Sequence, residues 1–230
     1  MSFGLSRGRE FDVTDVGIEA AGLPALPDDV SVNPSSAWLD PRAWFEDASR
    51  PFEIEIGSGK GTFLVQQSEL EPGTNFLGFE WAKEFWAYAA DRVRRRSIKN
   101  VKVVHGDATE FLHWRMPSGI ARVIHLYFSD PWPKARHHKR RVVQDRFLED
   151  AHRVLLDGGE LRIVTDHDDY WTWMEEHFSR WAPAGGTGKF VRLAFERPAS
   201  ASEGEVVGTN FERKYAREGR PFHATVLKKR

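Results

Sequence analysis

Three stretches of this 230-residue chain combine residue types and spacings that suit chemistry. Glu53-Ile-Glu-Ile-Gly-Ser-Gly-Lys-Gly61 is an alternating run that ends in a glycine-rich turn with an acid just before it. Asp130-Pro-Trp-Pro-Lys134 places a carboxylate in a proline-stiffened turn. Ala135-Arg-His-His-Lys-Arg-Arg141 follows at once with a dense run of cations. In chain order they suggest a nucleotide-like cofactor, a reacting group and a polyanionic substrate.

Gly57, Gly59 and Gly61 close a strand and open a helix, where glycine permits tight turning and close backbone approach to a ligand. In open α/β sheets, ligands sit beyond the carboxyl ends of the strands. The plain alternative is an ordinary strand-to-helix turn. A phosphate-binding loop would need glycine at position 54, which is Ile54 inside the strand, and Glu55 would oppose a polyanion. A dinucleotide fingerprint would need its third glycine at position 62, which is Thr62. S-adenosylmethionine has no phosphate and carries a cationic amino group, so an acid beside the turn becomes an asset. Glu55 then meets the methionine ammonium, Glu80 takes the ribose hydroxyls, and Asp107 accepts from the adenine amine. Taken singly, each acid reads as well as a helix cap or a solvated loop residue.

Asp130 ends the most apolar strand, beside the expected cofactor cleft, and is the candidate reacting residue. Trp132 can cover a planar group, although with nine tryptophans in the chain most must be structural. Lys134, Arg136, Lys139, Arg140 and Arg141, with two histidines among them, favour contact with nucleic-acid phosphates over a merely solvated face. The cluster of Arg92, Arg94, Arg95, Arg96 and Lys99 reads as a solvated helix end, where cations suit the helix dipole.

The elements that must position these groups follow from pattern. Strands are expected at Phe52–Ile56 and at 75–79, 101–104, 121–128 and 160–164, with helices at Thr62–Leu70, 82–95, 144–156 and 170–181. Strands alternating with helices imply a mostly parallel sheet covered on both faces, an α/β fold. Residues 189–195 and 221–227 are candidates to extend the sheet; 185–188 and 198–204 read as flexible loops. Prolines 24, 27, 34 and 41 make residues 1–50 an irregular arm, leaving 51–230 as the principal domain.

Composition sets the outer limits. Forty per cent apolar residues suffice for an ordinary core. The net charge of −1 does not advertise nucleic-acid binding, but the clustered cations create local positive fields. The absence of cysteine excludes disulfides, thiolate metal sites and cysteine nucleophiles. No metal is expected, and no apolar run approaches the ~18–20 residues that span a bilayer. A cytoplasmic location fits both.

With these residues in view, the chain resembles the bacterial tRNA (guanine-N7-)-methyltransferase family from about Phe52 onward. The resemblance rests on Glu55-Ile-Gly-Ser-Gly-Lys-Gly61, Phe76-Leu-Gly-Phe-Glu80, Gly106-Asp107, the run Phe128–Arg141, Val164-Thr-Asp166 and Thr209-Asn-Phe-Glu-Arg213. It implies a class I, Rossmann-like methyltransferase sheet with one reversed strand near the C-terminus. It implies S-adenosylmethionine as cofactor, held by Glu55, Gly57, Gly59, Glu80, Asp107 and Asp130, with Asp130 also catalytic. Lys134, Arg136, Lys139, Arg140, Arg141, Asp166, Thr209, Asn210, Phe211 and Glu212 would bind the tRNA. The implied product is 7-methylguanosine in the tRNA variable loop, at tRNA position 46, made by a monomer or homodimer. Ser129 stands where the family often has proline, and the first fifty residues match only loosely.

Guanine N7 offers an in-plane lone pair and needs no deprotonation, so catalysis should be mainly positioning, which supplies ~7–11 kcal/mol in good cases. Carboxylates can hold the base by its N1–H and exocyclic amine, and Asp130, Asp166 and Glu212 are the candidates. Rival readings are a methyltransferase acting on an exocyclic amine or small molecule, a non-catalytic RNA-binding protein on the same fold, and a phosphotransferase.

Overall fold

A computed structural model describes residues 10–230. Eight strands form one sheet: β1 (Gly17–Glu19), β2 (Phe52–Ile56), β3 (Asn75–Glu80), β4 (Val101–His105), β5 (Ala121–Tyr127), β6 (Leu155–Thr165), β7 (Phe190–Leu193) and β8 (His223–Lys229). Their order is β1-β4-β3-β2-β5-β6-β8-β7. All pairings are parallel except those of β8, which runs antiparallel to both β6 and β7. The helices are α1 (Thr62–Leu70), α2 (Lys83–Arg95), α3 (Ala108–Arg115), α4 (Asp145–Val154), α5 (Asp168–Trp181) and α6 (Asn210–Arg217). The expected α/β sheet with a reversed strand near the C-terminus is the one observed.

The sheet reverses its winding at β2. Connections from β2 run outward through β3 and β4, and those from β5 run the other way through β6. The carboxyl ends of β2 and β5 therefore diverge around a crevice, the place where doubly wound sheets take their ligands. The Gly57–Gly61 turn leaves one of these strands and the Asp130 loop leaves the other.

Burial explains the elements. All five residues of β2 are buried, as a central parallel strand covered on both faces requires. In α4, Phe147, Leu148, Ala151 and Val154 recur on one face and enter the main core. Two helices lie outside the expected set. Helix α3 is announced only by its cap, Asp107, whose carboxylate accepts from Thr109 N at 2.8 Å. Helix α6 buries only Glu212, so it leaves no apolar period to find.

Within the stretch expected to be an irregular arm, the described residues 10–50 contain three short 3₁₀ turns and one edge strand. Gly17–Glu19 pairs in parallel with Val103–His105. A Cβ at Gly17 would come within 2.8 Å of the Trp86 ring, so only glycine lets this edge strand pass over α2. Val16 packs with Trp86 and Val103 in a second core cluster.

Candidate active site at the carboxyl ends of the central strands

The glycine turn is tied to its neighbours by backbone and side chains together. Gly57 N and Ser58 N both donate to Phe79 O at 2.9 Å, holding the turn against the end of β3. Gly59 adopts a left-handed conformation (φ +53°), and its N–H donates to Glu80 Oε2 at 2.7 Å. The other oxygen of Glu80 accepts from Ala82 N at 2.8 Å. From α2, Arg92 Nη1 donates to Lys60 O and to Thr62 Oγ1 at 3.2 and 3.1 Å. One member of the cationic cluster read as a solvated helix end thus clamps the turn instead.

Glu55, the last but one residue of β2, precedes this turn and is buried, with Oε2 lacking a hydrogen-bond partner among the described residues. Burial pushes its carboxyl up to about 8; the adjacent Ser58 opposes the rise and the charge of Glu80 adds to it. Burial likewise raises Glu80, against its two backbone N–H bonds, and Asp130 across the crevice pushes the same way. Three carboxylates thus share one crevice, and the deepest has a bare oxygen. A buried acid in that state is suited to an incoming cation. The site therefore fits the ammonium end of S-adenosylmethionine.

Asp107 stands at the end of β4, as expected, but its Oδ1 is committed to capping α3 through Thr109 N and Thr109 Oγ1 at 2.8 and 2.7 Å. Only the second oxygen remains for a ligand.

On the opposite wall, Phe128 N donates to Val164 O at 2.8 Å where the Asp130 loop leaves β5. Phe128 and Trp132 flank Asp130 with φ of +55° and +44°, conformations that cost non-glycine residues about 1 kcal/mol or more each. The surroundings enforce them. The Phe128 ring lies between those of Tyr215 (6.1 Å) and Phe222 (5.6 Å). The Trp132 ring carries the Arg140 guanidinium at 4.9 Å on its face. Asp130 itself is exposed at the crevice.

Arg141 corrects the expectation that the whole basic run faces RNA. Its side chain is only 1% exposed. Nε donates to Pro131 O at 2.8 Å, Nη2 pairs with Asp169, and the guanidinium lies over the rings of Tyr170 (5.2 Å) and Trp173 (5.3 Å). It cannot reach a phosphate; it fastens the Asp130 loop to α5. Lys134, Arg136, Lys139 and Arg140 are exposed on and beside the 3₁₀ turn Ala135–Arg140.

Thr209 and Glu212 are the second correction. Both are buried. Thr209 Oγ1 accepts from Glu212 N at 3.1 Å, while the Glu212 carboxylate accepts from the backbone N–H groups of Val206, Val207 and Gly208, the last two at 2.8 Å. With its oxygens filled by backbone donors, Glu212 is not available to grip a base. The Thr-x-x-Glu spacing is a capping-box pattern, a signal the sequence does contain. Its product is the placement of α6 over the glycine turn. Asn210 Nδ2 donates to Thr62 Oγ1 at 2.9 Å, and a Cβ at Gly59 would lie 3.3 Å from the Phe211 ring. Phe211 is nevertheless 45% exposed, an apolar ring beside the glycine turn.

Asp166, at the end of β6, accepts from Arg220 Nη1 at 2.6 Å. Tyr215, Phe128, Phe222 and Arg220 were not among the expected site residues. Phe128 opens the Phe128–Arg141 run without carrying a role there, the other three sit in no motif, and only tertiary folding gathers Tyr215 and Phe222 around Phe128 beside Asp130. Among the described residues, no group of three or more His, Asp or Glu is placed to hold a metal ion, and no helix is long and apolar enough to cross a membrane.

Comparison with known proteins gives the family and the fold. A family model described as "Putative methyltransferase" matches residues 49–225. A tRNA (guanine-N(7)-)-methyltransferase of Rhodopseudomonas palustris (strain BisA53) is 36% identical over 218 residues, 95% of this chain and 84% of that protein. One from Streptococcus pneumoniae (strain 70585) is 32% identical over 201 residues, 87% of this chain and 92% of that protein. Among solved structures, the aminoglycoside resistance methyltransferase NpmB1 superposes with a TM-score of 0.54 at 16% identity, covering 93% of this chain and 98% of that one. A Streptococcus mutans protein described as a "putative methyltransferase", solved in complex with SAH, gives 0.50 at 14% identity, covering 90% and 100%. At such identities the structural matches speak for the fold alone.

Proposed function

The chain belongs to the tRNA (guanine-N(7)-)-methyltransferase family, and from that premise we propose how its residues transfer a methyl group from S-adenosylmethionine to N7 of a guanosine in tRNA. The observation that carries the reading is the bare Oε2 of buried Glu55 at the winding reversal of the sheet, with the Asp130 loop on the facing wall.

Glu55 would hold the methionine ammonium and Glu80 the ribose hydroxyls, with Gly57 and Gly59 keeping side chains out of the way. The free oxygen of Asp107 would accept from the adenine amine. When bound, the cofactor supplies an electrophilic methyl group on a sulfonium. The chain's own residues do the rest. Phe211 and the α6 cap cover the turn and exclude water. Asp166 accepts from the N1–H and exocyclic amine of guanine, fixing the base edge-on. N7 already has its lone pair, so no side chain is asked to remove a proton. Alkylation leaves positive charge on the guanine ring, and the carboxylate of Asp130 would stabilise it. Lys134, Arg136, Lys139 and Arg140 take the flanking phosphates. We place the target guanosine in the variable loop and the reaction in the cytoplasm, both on family resemblance.

The test is incubation of an unmodified tRNA transcript with the protein and S-adenosylmethionine, followed by nucleoside mass spectrometry. The expected product is 7-methylguanosine, lost when the target guanosine is replaced. A methylated exocyclic amine, or no methylated nucleoside from any tRNA, would overturn the assignment.

A further inference from the structure

The loop between α6 and β8 carries Arg220, a residue that the methyl-transfer scheme does not use, onto the acid that the scheme assigns to guanine. Arg220 Nη1 donates to Asp166 Oδ2 at 2.6 Å, and Nη2 pairs with Glu218 at 2.7 Å. The guanidinium carbon sits 4.2 Å from the centroid of the Tyr215 ring. The Asp166 side chain is 10% exposed and that of Arg220 is 41% exposed. The backbone N–H of Arg220 donates to Tyr215 O at 3.1 Å, so the loop is folded back onto α6. Tyr215 in turn packs on Phe128, two residues before Asp130, and on Phe211 above the glycine turn. Burial raises the Tyr215 phenol, and the charges of Asp166, Glu218 and Asp130 add to the rise while Arg220 opposes it.

A guanidinium flat on an aromatic ring, donating to a carboxylate, has a close chemical counterpart. The N1–H, C2 and exocyclic amine of guanine are a guanidine fragment set into a ring, a planar pair of parallel donors suited to one carboxylate. Aromatic faces take guanidinium groups and nucleobases alike. Asp166 and Tyr215 therefore offer Arg220 the two features a guanine base needs. As an ion pair for stability the arrangement is weak, because a partner so exposed is readily screened and readily released.

We propose that Arg220 is a resident stand-in for the target guanine: it occupies the base site formed by Tyr215 and Asp166 and must swing out for guanine to enter. This rests on the guanine-methylating reading above and adds Tyr215 as the stacking platform and Arg220 as an intramolecular competitor. The exchange keeps Asp166 paired in the empty site. It also favours guanine, because adenine lacks the N1–H that would replace the arginine donor and would leave the acid partly unpaired. Binding to a site open only a fraction of the time is weakened by that fraction, so removing the competitor tightens it.

The experiment uses the full chain saturated with S-adenosylhomocysteine and tRNA transcribed with 7-deazaguanosine triphosphate. This RNA keeps the N1–H and the amine but has carbon at position 7, so binding is measured without turnover. Arg220→Ala and Arg220→Met should each bind it about 3- to 10-fold more tightly than wild type. Low-millimolar ethylguanidinium should return Arg220→Ala to wild-type affinity and leave an Arg220→Ala, Asp166→Asn double variant unmoved. Tyr215→Leu should weaken binding about 10-fold or more, and Tyr215→Phe should not. Unchanged or weaker binding by both Arg220 variants, with melting temperatures held, would overturn the proposal; weaker binding with a shallower salt dependence would make Arg220 a phosphate contact. The functional reading is checked separately by 7-methylguanosine formation on the natural-base transcript. If wild type makes that product and the Arg220 variants do not tighten, the stand-in alone falls.

Discussion

The Nε–H of Arg141 donates to the carbonyl oxygen of Pro131 at 2.8 Å, the residue next to Asp130. A buried cation therefore holds the loop that presents the exposed acid, and two left-handed residues bracket that acid. Strained backbone persists only where its surroundings over-determine it, and Arg141 with the Phe128 ring cluster is that constraint.

Replacing Arg141 with Met keeps most of its volume but loses the bond to Pro131 and leaves Asp169 without its partner. Thermal unfolding should show a loss of about 2–4 kcal/mol. Because Arg141 is not at the surface, the salt dependence of tRNA binding should keep its slope. A flattened slope with unchanged stability would return Arg141 to the RNA interface.

The exposed members of the run should behave in the opposite way. Neutralising Arg136, Lys139 and Arg140 should weaken tRNA binding and reduce the slope of log K against log salt by up to about 0.9 for each lost duplex contact, or about 0.7 for single-stranded RNA. Affinity for S-adenosylhomocysteine should not move. An unaltered slope would leave these residues as ordinary solvated surface.

The contrast between Arg141 and Arg140 shows where sequence reading reached its limit. Alternating strands and helices and the acids at strand ends follow from local pattern, because a buried parallel strand and an amphipathic helix write their burial into residue order; the reversed strand was implied only by the family resemblance. Adjacent arginines do not announce which of them turns inward. That is settled by Tyr170 and Trp173, some thirty residues away on α5. The Thr209–Glu212 motif was legible in another sense. Its spacing fits a helix cap, but without knowledge that a helix follows it reads as a substrate contact. Edge strand β1 was invisible because three residues paired on one side leave no period.

Glu212→Ala should now act on both ligands. Three backbone N–H groups lose their acceptor, at a cost of about 1–3 kcal/mol for each donor left buried and unpaired. The 206–208 loop and α6 should loosen, carrying Asn210 and Phe211 away from the glycine turn. Calorimetry should show weaker S-adenosylhomocysteine binding alongside reduced tRNA use. Full cofactor affinity with only tRNA binding impaired would restore Glu212 as a direct substrate contact.

Asp130→Asn keeps shape and removes charge at the crevice. With cofactor saturating and tRNA bound, single-turnover methylation should fall by roughly 10²-fold, equivalent to ~2.7 kcal/mol. A wild-type rate from this variant would mean that the positive charge developing on guanine is stabilised elsewhere.

Glu55 gives a prediction about protons. Its folded-state carboxyl titrates near 8, chiefly because of burial, against an ordinary value of 4.5. Between these two values the folded chain holds a proton that the unfolded chain has released. The contribution of Glu55 to the stability of the ligand-free protein is therefore fully present below the ordinary value and is lost as pH rises toward about 8, by an amount on the order of a few kcal/mol. A bound ammonium group takes the proton's place, so cofactor binding near pH 6 to 7 should expel about one proton from Glu55. Calorimetry of S-adenosylhomocysteine binding in buffers of different ionisation enthalpy reads this directly, as a heat that depends on the buffer. Glu55→Gln should abolish that dependence, weaken binding, and flatten the pH profile of the ligand-free melting temperature. If wild type releases no proton on binding, Glu55 is already ionised in the free protein, and its bare oxygen is not waiting for a cation.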